Sequence, residues 1–131
     1  MPNWNQKPFD QLKQLIKSYD EFLNRVNDNF GEYLDRNSIM SRGDIYRGRD
    51  QIIQWFKNIE NNFGPFKLKD ATATFFSDSH SRVLLYFEIK KDDMTETMVE
   101  SMDLCKYGDN WRVKDMFALS YEPEYHEKYF V

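Results

Sequence analysis

Asp103 and Asp115 flank a glycine-led turn, Gly108, Asp109 and Asn110, in the stretch MDLCKYGDNWRVKDMF at residues 102–117. The stretch reads as a tight β-hairpin with a carboxylate in the middle of each strand. With a three-residue turn Tyr107 pairs with Trp111, and Asp103 lies directly opposite Asp115. Opposed residues have Cβ atoms roughly 4.5–5.5 Å apart, so two desolvated carboxylates would share a proton, and one raised pKa is what a general acid or base needs. With a four-residue turn Asp103 faces Met116 instead and Asp115 points to solvent, leaving one carboxylate for that role. In the first register the shared face also carries Val99, Ser101, Cys105, Tyr107, Val113, Phe117 and Leu119, the more apolar set and so the expected concave interior.

Other side chains could serve such a site. Tyr19 is either an orienting hydrogen-bond donor or a core tyrosine, since it lies on the apolar stripe of a helix. Tyr33, Tyr46, Trp55 and Tyr86 read as core or rim rings, any of which could stack on a flat ligand. Cys105 reads as a small buried hydrophobe, because a thiol nucleophile needs an activating neighbour. His80, in the polar tip SDSHS, is expected at the surface with no role. Arg42, Arg47 and Arg49 read as a solvated loop cluster balanced by Asp44 and Asp50, or else as a guide for an acidic ligand.

Composition bounds the rest. A chain of 131 residues is one ordinary domain, with a tail of aromatic residues at 121–131. The 11 Phe, 8 Tyr and 3 Trp predict a core built largely from rings. Eighteen Lys plus Arg against 22 Asp plus Glu give a net charge of −4, which offers no broad attraction to nucleic acid or anionic lipid. One cysteine and 2 histidines leave no material for a disulfide, a cysteine-based zinc cluster or a histidine metal motif, so neither metal nor cofactor is expected. No secretory leader or membrane span is legible, and a cytoplasmic protein is expected.

Positioning these residues takes two kinds of element. Phe9, Leu12, Leu15, Ile16, Tyr19, Phe22, Leu23 and Val26 recur at helical spacing over 9–26. Asp28 could cap a short helical turn that buries Phe30, Tyr33 and Leu34. NSIMSR and DIYRG read as short strands, and DQIIQWFKNIENNF as a helix ended by Gly64 and Pro65. Beyond residue 65 the period becomes two, giving strands near 66–77, 82–91, 94–107 and 111–119. Helices followed by an antiparallel meander indicate an α+β domain with the helices on the concave face of a curved sheet and a cone-shaped space between the layers. On β-strand parity, Met98, Met102 and Leu104 with Glu96 and Glu100 form an outward stripe too apolar for comfortable exposure, which a homodimer would cover.

FGEYLDRNSIMSRGDIYRGRDQIIQWFKNI, followed by four long strands and ending in KYGDNWRVKDMFAL, resembles the nuclear transport factor 2-like superfamily, especially its SnoaL-like and ketosteroid-isomerase-like members. The marks are Asp35 before the first strand, a Y-x-G-x-x-x-I run at Tyr46, Gly48 and Ile52, and the Gly- and Asn-rich last turn. The resemblance implies a cone-shaped α+β barrel that is frequently dimeric through the outer sheet face and that binds or transforms small hydrophobic molecules, although other members are assembly modules. It places Asp103 where the isomerase branch has a protonated oxyanion donor and Tyr19 near the partner tyrosine. Where that branch has its general base this chain has Ser41, with Asp44 nearby. The expected protein therefore binds a small apolar or aromatic ligand, with isomerase, cyclase or dehydratase chemistry by proton transfer as one outcome. In that outcome Asp103, Asp115 and Tyr19 are the catalytic set, and Tyr33, Tyr46, Trp55, Tyr86, Ser101, Cys105 and Phe117 line the pocket. A noncatalytic binder is expected if Asp103 is satisfied by internal hydrogen bonds, and an assembly module if the cone is filled.

Overall fold

In the computed structural model, residues 6–42, 44–58, 63–91 and 94–121 are described. Helix α1 spans Gln6–Leu23, a short 3-10 helix Asn29–Tyr33, and helix α2 Arg49–Lys57. Strands β1 (Leu34–Arg42), β2 (Asp44–Arg47), β3 (Phe63–Ser77), β4 (His80–Lys91), β5 (Met94–Tyr107) and β6 (Asn110–Tyr121) complete the order. They form one curved sheet in the order β2-β1-β6-β5-β4-β3, antiparallel except where β1 meets β6 in parallel. The architecture is the expected α+β one. The tail at 122–131 lies outside the described residues.

Periodicity decides what each element buries. Leu12, Leu15, Tyr19, Phe22 and Leu23 put one stripe of α1 into the core, and Ile52 and Phe56 do the same for α2. The sheet answers with Val83, Leu85, Phe87 and Ile89 from β4, Met102 and Leu104 from β5, and Trp111, Val113 and Met116 from β6. Burying each such side chain contributes about 1.5–3 kcal/mol, so the contact between helices and inner face holds the domain together. Among the described residues no helix is long and apolar enough to cross a membrane.

The Y-x-G-x-x-x-I run has a mechanical explanation. Gly48 sits at φ 86°, a conformation that favours glycine, and its N–H donates to Ser38 O at 2.8 Å. The chain thereby turns from β2 into α2 and sends Ile52, fully buried, into the core. Helix α2 is shorter than expected. It stops at Lys57, and Phe63, Gly64 and Pro65 belong to β3 rather than to the helix and its end.

The faces of the last hairpin are the reverse of the expected ones. Leu104 and Met102 are fully buried against the helices and Met98 packs on the same core, so the stripe assigned to an outer homodimer face is the inner wall. Asp103, Ser101, Cys105 and Phe117 alternate onto the outer face, and with them the exposed Asp115. Asp103 does pair with Asp115, although the register at the turn is neither of the expected ones: Tyr107 pairs with Asn110, not with Trp111 or Arg112. The aspartate pairing arises from a two-residue turn, Gly108–Asp109, and a bulge between Asp103 and Leu104 that leaves Lys114 as the extra residue of β6. The bulge breaks strict alternation, so Val113 points inward while Asp115 points outward.

Candidate functional site

Strand parity carries two charged residues into the apolar interior. On β1 the buried positions Ser38 and Met40 share their face with Arg42, and on β5 Met102 and Leu104 share theirs with Glu100. Glu100 pairs across β6 with the small Ala118, which leaves room for its side chain. Arg42 Nη2 donates to both Glu100 carboxylate oxygens, at 2.7 and 2.6 Å, and to the Tyr19 hydroxyl at 3.2 Å. Arg42 Nε donates to Met40 Sδ at 3.2 Å. The guanidinium lies over Trp55 and Phe56 of α2, 5.1 and 5.2 Å from the ring centroids.

Burial governs the electrostatics. The Glu100 side chain is 0% exposed and that of Arg42 11%. Burial raises the Glu100 pKa, and the opposing pull of Arg42 does not fully offset it. Burial and the nearby Glu100 hold the Tyr19 hydroxyl well above its ordinary range, so it stays protonated. For Arg42 burial acts downward but is outweighed by Tyr19 and Glu100, which keep the guanidinium charged. A neutralised ion pair with a hydroxyl beside it thus stands inside an aromatic shell. Such a pair is weak evidence for stability, because removing two charges from water costs several kcal/mol per ion. A buried carboxylate with a raised pKa is a functional-site candidate on its electrostatics, although Glu100 itself lines neither of the hollows nearby.

Two hollows flank the aromatic shell. A cleft of about 270 Å³ is lined by Phe22, Leu23, Phe56 and Phe66, with Arg25, Asp28 and Lys57 at its polar rim. Asn24 fixes one wall of it, donating to Phe66 O and accepting from Phe66 N, both at 2.9 Å. An open groove of about 710 Å³ runs along α2 and β2, with Tyr46 and Trp55 among its walls. Among the described residues no three His, Cys, Asp or Glu side chains are arranged to hold a metal ion.

The expected site residues disperse over the molecule. Tyr19 is in the core at the Arg42–Glu100 pair, not beside Asp103. Asp103 accepts from His80 Nε2 at 2.7 Å on the outer face, with Arg82 Nη2 at 4.0 Å, and Asp115 opposite it is exposed. Ser101, Cys105, Phe117 and Tyr86 share that outer face. Burial and the neighbouring Asp103 raise the Cys105 pKa and keep it a thiol. Tyr46 and Trp55 meet at 6.0 Å beside the groove, and Tyr33 lines a separate polar cleft against α1. His80, expected to be idle at a hairpin tip, is the partner of Asp103. The residues missed are Arg42 and Glu100. Their signal was positional: one Arg and one Glu, each two residues from a core methionine on its strand.

No protein-family model matches the chain, and no curated protein does. Solved structures match closely in shape. An uncharacterised protein with a cystatin-like fold from Caulobacter vibrioides superposes with a TM-score of 0.79 at 17% identity, over 93% of this chain and 95% of its own. Nuclear transport factor 2 from Cryptosporidium parvum gives 0.72 at 14% identity, over 91% and 98%. A protein named as a candidate ketosteroid isomerase from Shewanella frigidimarina gives 0.67 at 12%, over 81% and 92%. The fold is that of the nuclear transport factor 2-like proteins.

Proposed function

From a chain with the nuclear transport factor 2-like fold, we propose a small-molecule-binding protein whose flat, largely apolar ligand is taken against the aromatic cleft between α1, α2 and β3, with no cofactor. The observation that carries the reading is the wall of that cleft. Phe22, Phe56 and Phe66 face a 270 Å³ space, and Phe56 backs onto the buried Arg42–Glu100–Tyr19 centre. Apolar walls with a few convergent polar groups are what such sites require. The internal partner of Asp103, His80, favours binding without catalysis at the hairpin. The test is native mass spectrometry of protein purified from its own host. A small molecule released on denaturation is the expected result. Empty protein co-purifying with another chain would overturn the reading in favour of an assembly module.

One observation favours a second reading, proton transfer at the same centre: Glu100 is fully buried with its pKa raised. Glu100 would then exchange the proton and Tyr19 orient the ligand, in an isomerisation, cyclisation or dehydration. In that case Glu100→Gln abolishes turnover of the released ligand, while Asp103→Asn on the outer face leaves it intact. The reverse pattern would return the chemistry to Asp103.

The partner we propose is a second copy of this chain, seated on the outer sheet face. The apolar residues available there are Leu84, Tyr86, Val99 and Phe117, each partly buried on the side away from the helices.

A further inference from the structure

We propose that the open groove between β2 and α2 is a binding site for a neutral saccharide, whose ring stacks on Trp55 and whose hydroxyl groups are held by Asp50, Gln51, Gln54 and Asn58. The site lies apart from the apolar cleft between α1, α2 and β3, and neither reading rests on the other. Helical spacing builds one wall. Ile52 and Phe56 turn into the core, while Gln51, Gln54, Trp55 and Asn58 recur at steps of three, one and three and all line the groove. From Gln51 to Asn58 this stripe runs about 10 Å along the helix axis. Tyr46 stands in the facing wall. It pairs with the buried Met40 of β1, so its side chain lies on the helix side of the sheet, with its ring centroid 6.0 Å from that of Trp55.

The polar groups of the groove are oriented in advance. Gln51 Oε1 accepts from Arg47 N at 2.9 Å, and Gln54 Nε2 donates to Asn58 Oδ1 at 3.0 Å. These bonds fix what each amide keeps for the groove: donors at Gln51 Nε2 and Asn58 Nδ2, and an acceptor at Gln54 Oε1 beside the carboxylate of Asp50. Hydroxyls answer such a mixed row, because each one both donates and accepts. Held side chains also lose less freedom when a ligand arrives. Trp55 supplies the apolar complement, since the Arg42 guanidinium lies over its ring and Phe56 meets it edge-on, which fixes a half-buried indole at the groove for the C–H face of a sugar ring. A flat apolar ligand would strip water from Asp50 and the three amides and return no hydrogen bond. Asp50 is the one charged side chain among the described residues of the lining, which disfavours acidic sugars.

The probe is a printed array of neutral, sialylated and uronic-acid glycans, with proline-rich decapeptides as the competing ligands of an aromatic-lined groove, read with the intact protein. The neutral glycan bound best is then titrated by calorimetry. Binding confined to neutral glycans is expected, weakened at least about fivefold by Gln54→Ala, a fivefold change being the effect of about 1 kcal/mol. Saturation-transfer NMR should put the strongest signals on the C–H protons of one sugar face. Trp55→Leu should abolish those signals, and Trp55→Phe, which keeps a ring for stacking, should retain them. No glycan bound, acidic glycans preferred, or a decapeptide bound in their place would each overturn the inference. So would a neutral glycan whose affinity Gln54→Ala leaves unchanged, because it would be held elsewhere on the protein. Gln54 is exposed on α2, so that variant keeps the fold and decides alone if Trp55→Leu does not fold.

Discussion

Breaking the Arg42–Glu100 pair from its two sides should not cost the same. Without Arg42, Glu100 can take up a proton and become neutral, whereas without Glu100 the guanidinium cannot shed its charge. Glu100→Gln should thus lose about 3–5 kcal/mol, the usual cost of stranding one member of a buried pair. Arg42→Met should lose less, and its loss should depend on pH. A buried carboxyl with a raised pKa holds a proton that the unfolded chain has released, so stability falls as pH climbs above the ordinary glutamate value of 4.5. Urea unfolding at about pH 5 and 7.5 reads this directly: the deficit of Arg42→Met should widen toward the higher pH, and a pH-independent deficit would mean that Glu100 stays ionised alone. Joining Arg42→Met to Glu100→Leu should restore or raise stability, because it removes both buried charges instead of stranding one. On the outer face the reasoning is simpler. Asp115 lies opposite Asp103, which already has His80, so Asp115→Lys should stabilise the fold by roughly 0.2–1 kcal/mol. Hairpin arithmetic reached the pairing of these aspartates through the wrong turn, since a shorter turn and a bulge offset one another. The buried charges were not legible, because a glutamate on a strand is by default a solvent-facing residue and only the arginine delivered by a distant strand reverses that.

Elements were legible where one period runs unbroken. The stripe of α1 and the meander β3–β6 follow from apolar spacing alone, and each lies within a few residues of its expected position. What spacing does not report is a bulge. With Lys114 inserted opposite the Asp103–Leu104 step, Val113 and Asp115 stop sharing a face, and a parity count that runs through them assigns half the hairpin wrongly. The helix end at α2 failed for a related reason: Gly64 and Pro65 look like a stop signal, yet Pro65 is tolerated in β3 because that strand is the edge of the sheet. Between elements, one side chain carries more than its share. Asn24, just past α1, offers its amide to Phe66 as a neighbouring strand would, with both bonds at 2.9 Å. Asn24→Ala removes both, at about 1 kcal/mol each. A loss of about 2 kcal/mol in urea unfolding is expected, with weaker ligand binding because Phe66 is a wall of the cleft. Unchanged ligand affinity would show that Phe66 is held by its strand alone.

At the scale of the molecule, helices cover the inner face of the sheet, and none among the described residues covers the outer one. Leu84, Ser101, Phe117 and Ser41 lie side by side across β4, β5, β6 and β1, and Tyr86 pairs with Val99 in a flanking row. Ser101, at the centre of this surface, is 3% exposed although no helix among the described residues covers it. A second copy set against it by a two-fold axis would meet the same residues, which is the isologous contact a closed dimer needs. The substitution that separates interface from core follows from parity. Phe117→Lys places a charge on the outer row, so it should halve the mass seen by sedimentation while leaving the unfolding midpoint of the monomer close to that of the parent. Met102→Lys places the same charge at a fully buried position against α1 and α2, and should unfold the domain rather than split a dimer. Wild-type protein sedimenting as a monomer at tens of micromolar would end the dimer proposal. A Phe117→Lys variant that keeps the dimer mass would move the interface off this face, most directly to the edge of β3, a fifteen-residue strand with no second neighbouring strand among the described residues.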